Sequence, residues 1–196
     1  MATKRIVIIQ GHPDPQKSHY GHALAKAYAT GAEAAGHSVE WISVAELDFP
    51  LLRSDEEFNH GETPEAIRGA QEKIHKADHL VLFYPLWLGT MPALLKGFIE
   101  QVFRPGFAFS YEGKQGFPKK QLKGKSARVV ITMGMPGFFY RWFYCAHSLK
   151  NLKRNILGFC GIAPVRNSLI GMVEDMKQPQ REKWLKKLHD LGKKGL

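Results

Sequence analysis

Cysteine is nearly absent from this sequence of 196 residues. The two present, Cys145 and Cys160, fit neither a zinc-ligand spacing nor a disulfide framework. Cys160 lies in the apolar stretch ILGFCGIAPV, so both read as reduced thiols in a cytoplasmic protein. Long apolar runs are missing as well: no window approaches the ~20 residues of a membrane-spanning helix. The opening MATKRIVIIQGHPDP breaks off at Gln10, short of a signal-peptide core and without a small-residue cleavage site, so export is not expected. Acidic residues are in deficit, 18 Asp+Glu against 28 Lys+Arg, for a formal charge of +10. The lysines gather in KKQLKGK (119–125), KNLKR (150–154) and the last helix. They read as a solvated basic face, because zinc-finger spacing, an RNP aromatic pattern and a helix-turn-helix are all lacking, and no nucleic-acid partner is expected. A Walker loop, a G-x-G-x-x-G fingerprint and the G-x-S-x-G elbow of hydrolases are also missing. What the charge does offer is attraction for phosphorylated cofactors. It is compatible too with peripheral association with an acidic partner or a membrane protein.

What is there is alternation. The length and the mass of 22.1 kDa suit one domain over residues 1–196. KRIVIIQ (4–10), SVEWISV (38–44), HLVLFY (79–84), ARVVITM (127–133) and VRNSLI (165–170) read as strands. Between them run helical periods: Leu24, Ala27, Tyr28, Gly31 and Ala35, stopped by Gly36; then Ile67, Ala70, Ile74 and Ala77 behind a Thr63 cap and Pro64. Leu94, Leu95, Phe98, Ile99, Val102 and Phe103 form a wide apolar stripe after Pro92, and Lys96 pairs with Glu100 on the other side. Helix is also expected over 138–155 and along the stripe of Trp184, Leu185, Leu188 and Leu191. ELDFPLLRSDEEFNHGE (46–62) and PGFAFSYEGKQGFPKKQLKGK (105–125) keep no period and read as long irregular connections.

Five strands alternating with helices imply an α/β fold. In it a five-stranded parallel sheet of order 2-1-3-4-5 lies between two helical layers, since parallel neighbours require right-handed crossovers. Ligands in such sheets bind beyond the carboxyl ends of the strands, where the strand order reverses. Three chemically odd segments fall there: 10–18, 85–89 and 132–137. GHPDPQKS precedes the first helix, whose N-terminal N–H groups can hold a phosphate with His12, Lys17 and Ser18 as added donors. The same loop reads equally as a polar turn in which Ser18 caps the helix. Trp87 offers an aromatic wall, with the N–H groups of Trp87, Leu88 and Gly89 as donors to the edge of a heterocycle; the alternative is a tryptophan lid on the core. In TMGMPGFFY, Thr132, Gly134 and Gly137 let a planar ring approach the backbone, or simply make a glycine-rich turn.

PLWLGTMPALLKGFIEQVF (85–103) resembles the motif P-L-x-W-x-x-x-P-A-x-L-K-G-x-x-x-x-V-F of the flavodoxin-like NAD(P)H:quinone reductases, with the tryptophan one place earlier. GHPDPQKSHYGHAL is similar to the H-P-x-P-x-x-S opening of bacterial members, which include ancillary oxidoreductases of potassium-efflux systems. GFAFSY, TMGMPGFFY and GFCGI find counterparts in order. The resemblance implies a bound flavin, FMN or FAD with the short chain favouring FMN, NAD(P)H as electron donor, a quinone-like acceptor and a homodimer with its active site at the subunit interface. It implies that His12, Ser18, Tyr20 and Gly21 hold the phosphate and ribityl chain, and that Pro85, Leu86, Trp87, Leu88 and Gly89 line the isoalloxazine. Thr132, Met133, Gly134 and Met135 would face its pyrimidine side. Tyr140 matches the family's catalytic tyrosine; the histidine expected six residues on is Ala146, which makes His147 the candidate. Phe107, Phe109 and Tyr111 are candidates to cover the acceptor across the dimer. A regulatory flavoprotein subunit of a membrane transporter, or an electron carrier, is the competing reading.

Overall fold

The computed structural model describes residues 2–16, 18–111 and 118–196; Lys17 and the middle of the 105–125 connection lie outside them. Strand β1 (Arg5–Gln10) leads into helix α1 (Tyr20–Ala34), followed by β2 (Ser38–Ser43), the short α2 (Asp55–His60), α3 (Glu65–Lys76) and β3 (His79–Pro85). Next come α4 (Ala93–Val102) and a two-stranded ribbon of β4 (Phe109–Ser110) and β5 (Lys119–Lys120), within the stretch expected to be irregular. Then come β6 (Ser126–Thr132), α5 (Gly137–Trp142), α6 (His147–Asn151), a π-helical turn over Leu152–Leu157, α7 (Gly158–Cys160), β7 (Val165–Ile170) and α8 (Gln178–Lys193). The sheet is wholly parallel in the order β2-β1-β3-β6-β7, the doubly wound 2-1-3-4-5 arrangement that the alternation implies.

Strand periodicity divides the core in two. Ile6 and Ile8 of β1 face α1 and α8, where they meet Leu24, Tyr28 and Leu188, while Val7 and Ile9 face α3 and α4 among Ile67, Ile74, Leu95 and Phe98. Because both faces are covered, β3 is buried over six of its seven residues and reads as one continuous apolar run. Gln10 lies opposite Phe83, and Pro85 opposite Thr132, so the carboxyl ends of β1, β3 and β6 come nearly level. Among the described residues no helix is long and apolar enough to cross a membrane.

Three expectations change. The 46–62 connection contains α2, nucleated where the Ser54 hydroxyl accepts the Glu57 N–H at 3.1 Å and three acidic residues fill the first turn. Helix α3 starts at Glu65 with Pro64 as its cap residue, and Thr63 instead faces Arg104. The helix expected over 138–155 is broken after Trp142, because Cys145 and Ala146 take left-handed backbone angles (φ 50° and 47°) and restart the chain in a new direction.

His79 opens β3 fully buried, its Nδ1 2.8 Å from the Ser126 hydroxyl on β6. Burial, and then the positive charges of Lys4, Arg128 and Arg166, lower its pKa to about 3. The unfolded chain therefore binds the proton first. The contribution of neutral His79 is intact above about pH 6.5 and is lost as pH falls from there toward 3. We expect urea-unfolding free energies measured between pH 7 and 4.5 to fall more steeply for the parent than for His79→Gln, by on the order of 1 kcal/mol per pH unit. Parallel slopes would remove His79 from the acid limb.

Candidate functional site

Three loops leave the aligned strand ends. The first, from Gly11 to His19, turns tightly over α4: a side chain at Gly11 would sit 2.6 Å from Leu95 Cδ2, so glycine is the residue that lets loop and helix touch. It delivers the chain to α1, whose cap position is His19 and makes no side-chain capping hydrogen bond; Ser18 is exposed and does not cap the helix. In the first turn of this 15-residue helix His22 N–H donates to His19 O at 2.9 Å, and the N–H groups of Tyr20 and Gly21 precede the intrahelical ladder. Gly21, in that turn, borders open space.

Around this end the loop folds on itself. The His12 ring stacks on His19 at 4.0 Å between centroids and meets His22 edge-on at 5.6 Å. Asp14 Oδ2 lies 2.8 Å from His19 Nε2, and the Asp14 N–H is 3.1 Å from His12 Nδ1. Burial, followed by the neighbouring charge of His19, holds the His12 pKa below the ordinary imidazole value. His12 Nδ1 faces both the Asp14 N–H, from which it can accept at 3.1 Å, and Asp14 O, to which its other tautomer donates at 3.2 Å. The Gln10 carboxamide oxygen accepts the His12 N–H at 3.2 Å and fixes the ring's backbone.

The second loop closes a four-residue turn. Trp87 N–H donates to Thr90 O at 2.9 Å and Thr90 N–H returns the bond at 3.0 Å, while Leu88 and Gly89 both take positive φ (46° and 79°). The expectation of three donors is therefore corrected: Trp87 N–H is committed to the turn, and Leu86 N–H to Thr132 O at 2.7 Å. Leu88 and Gly89 take no part in that pair of bonds. Leu88 is fully exposed, an apolar residue in a left-handed conformation with none of the described residues over it, and Trp87 is 49% exposed. Its indole stands 6.1 Å from the His12 ring, at 76°, which joins the first two loops.

The third loop offers backbone. Met133 N–H bonds Ile170 O, Met133 O accepts from Val173, and the Met133 side chain is in the core; Met135 is half-buried and its carbonyl accepts from Met172. Gly134 is exposed, and a methyl group added there would meet nothing nearer than Glu174 Oε1 at 3.9 Å.

Contacts join His12 to Trp87, Leu86 to Thr132 and Pro85 to Thr132; Ser18 and Gly21 lie at the start of α1, Leu88 and Gly89 in the second loop and Gly134 in the third. Two aromatic candidates point elsewhere. The Tyr20 hydroxyl donates to Arg181 O at 2.9 Å and its ring lies under the Arg181 guanidinium, so only its backbone faces the rim. Tyr140 is 1% exposed; its hydroxyl accepts the Leu149 N–H at 3.3 Å and shares a hydrogen bond with Ser148 Oγ at 2.7 Å. His147 is exposed at the start of α6. Phe109 is core, edge-on to Phe159 at 4.9 Å, and Phe107 is half-buried against the same cluster, whereas Tyr111 is exposed. Phe138, Trp142, Phe143 and Tyr144 form a second exposed aromatic face, beside the third loop. Gln10, Asp14, His19 and His22 surround His12 and are passed over by the motif reading. The i, i+3 histidine pair on the first helical turn is the signal that marks two of them.

The profile of a family described as having a flavodoxin-like fold matches residues 4–191. An uncharacterised NAD(P)H oxidoreductase of Haemophilus influenzae is 33% identical over 169 residues, 84% of this chain and 82% of that one. A mouse ribosyldihydronicotinamide dehydrogenase (quinone) is 27% identical over 228 residues, covering 98% and 94%. Among solved structures, Smu.1420 of Streptococcus mutans superposes with a TM-score of 0.82 at 27% identity, over 97% of this chain and 99% of that one.

Proposed function

Because the chain belongs to the flavodoxin-like fold family, we propose that it is a flavin-dependent NAD(P)H oxidoreductase whose acceptor is a quinone or similar small molecule. The observation that carries this reading is the rim itself: an uncapped helix start, a half-exposed indole and the exposed positive-φ turn of Leu88 and Gly89, with room for a side chain at Gly21 and Gly89. A flavin bound there would supply hydride-transfer chemistry between a nicotinamide donor and the acceptor, for which ping-pong kinetics are expected.

The chain's own residues bind and orient. His12, Ser18 and the N–H groups of Tyr20 and Gly21 hold the phosphate end, where the helix dipole favours negative charge. Pro85, Leu86 and Trp87 form the wall beside the ring, and Leu88 and Gly89 donate their N–H groups to its polar edge. Thr132, Gly134 and Met135 flank the opposite edge, Met133 being committed to Ile170 and Val173 through its backbone and to the core through its side chain. Tyr140 serves at one remove, tying α5 to α6 through Ser148 and Leu149, while His147 is the candidate proton-transfer group. FMN suits the short phosphate-binding loop. The face of Phe138, Trp142 and Phe143 is where a second copy of the chain packs in a cytoplasmic homodimer, which shelters the acceptor from water.

The test is the visible spectrum of the purified protein, with mass spectrometry of the released pigment and NAD(P)H turnover against a panel of quinones. Trp87→Ala is expected to weaken FMN binding about tenfold, read from quenching of flavin fluorescence, with little change in unfolding free energy because half of the ring is already exposed. Protein that stays colourless after incubation with FMN and with FAD, and leaves their fluorescence unchanged, overturns the reading.

A further inference from the structure

Three imidazoles and one carboxylate crowd the start of α1. His12, His19 and His22 lie with ring centroids 4.0 to 6.1 Å apart, and the Asp14 carboxylate is hydrogen-bonded to the His19 ring. The rings stack and cross edge-on instead of converging on one point, the wrong arrangement for a metal ion. Resting on the flavin reading above, we propose that these histidines are a proton-coupled receptacle for the cofactor's phosphate monoester, so that binding the dianion draws protons onto the cluster from solvent.

The physical case starts from the unliganded charge balance. Asp14 satisfies one imidazole, and His12 Nδ1 is held against the Asp14 backbone. Burial and the neighbouring rings disfavour charging His12. On the outer side His22 shares a cavity of about 680 Å³ with Lys26 and Glu33 of α1 and with Glu46 after β2, while β1 contributes neutral Gln10 and the second loop neutral Trp87. A charge of about −2 set against the N–H groups of α1, beside the stacked rings of His12 and His19, favours the charged form of the imidazoles around it. Linkage then fixes the sign: each proton taken up makes affinity rise up to tenfold for every unit that pH falls. The window lies above about pH 6.5, because below it the phosphate begins to take the proton itself.

FMN and riboflavin share the ring and differ in the phosphate, which makes them the probes. We expect the FMN dissociation constant to tighten about three- to tenfold per unit from pH 8.5 to 6.5 while that of riboflavin stays flat. Calorimetry in buffers of different ionisation heat should show proton uptake with FMN alone. His19→Gln and His22→Gln should each flatten the FMN profile and leave riboflavin binding within about twofold. FMN and riboflavin both bound, with FMN affinity independent of pH and no proton uptake, overturns this inference and leaves the flavin reading standing. Failure of either flavin to bind at any pH overturns both.

Discussion

Replacing Arg104 by methionine is expected to remove about 3–5 kcal/mol of stability. The residue follows α4 directly and is 4% exposed, yet what surrounds its guanidinium is carbonyl oxygen. Nε donates to Phe58 O at 3.2 Å, Nη1 to Glu62 O at 3.2 Å and to the Thr63 hydroxyl at 3.4 Å, and Nη2 to Gly61 O at 2.8 Å and to Glu57 O. Most of these acceptors belong to the last turn of α2 and the chain just beyond it, the negative end of that helix. Methionine fills a similar volume but strands the carbonyls inside the protein, where each unsatisfied one costs about 1–3 kcal/mol unless water enters. Lysine keeps the charge without the planar fork and should recover only part of the loss. Urea unfolding checks this: the midpoint falls with an unchanged slope, in the order arginine, lysine, methionine. A loss below about 1 kcal/mol for Arg104→Met would show that water already serves these carbonyls.

The second large effect lies where α1 crosses α8. A methyl group added at Gly31 would fall 2.0 Å from His189 O, and one added at Gly192 would fall 2.0 Å from Tyr28 O. Both obstacles are backbone, so no side-chain rotation relieves them and the helices must separate. Gly31→Ala and Gly192→Ala are each expected to cost about 3 kcal/mol net, the helix propensity of alanine offsetting about 1 kcal/mol of a larger clash. The double variant should lose clearly less than the sum, because one separation of the helices accommodates both methyl groups. Thermal or urea unfolding of the three variants decides it; full additivity would mean that each clash is relieved locally. The same crossing matters for the site, since α1 carries at its other end the N–H groups proposed to face the phosphate.

Much of the scaffold is legible in the residues. VRNSLI is β7 to the residue, and KRIVIIQ, HLVLFY and ARVVITM differ from β1, β3 and β6 by single positions at their ends. Strands buried on both faces announce themselves as β-branched and aromatic runs. The broken helix at 143–146 is not legible, because its interruption rests on left-handed angles at Cys145 and Ala146, neither of which is a residue type that signals a turn. Helix α2 escapes notice for the opposite reason: its Ser54 cap and acidic first turn are present, but no apolar stripe accompanies them and none of its residues is buried.

For the site, sequence alone determined which three loops share the rim, because strand order follows from alternation and crossover handedness, and it marked His12, Trp87 and Gly134 as loop residues of unusual character. Tertiary structure decided what each one has left to offer a ligand. That Trp87 N–H is occupied while Leu88 and Gly89 face outward, that Tyr20 and Tyr140 turn to Arg181 and Ser148, and that three histidines gather around one carboxylate are all outcomes of distance. A hydrogen bond or a stacked ring is won or lost within an ångström, a scale that packing of distant segments sets and residue spacing does not encode.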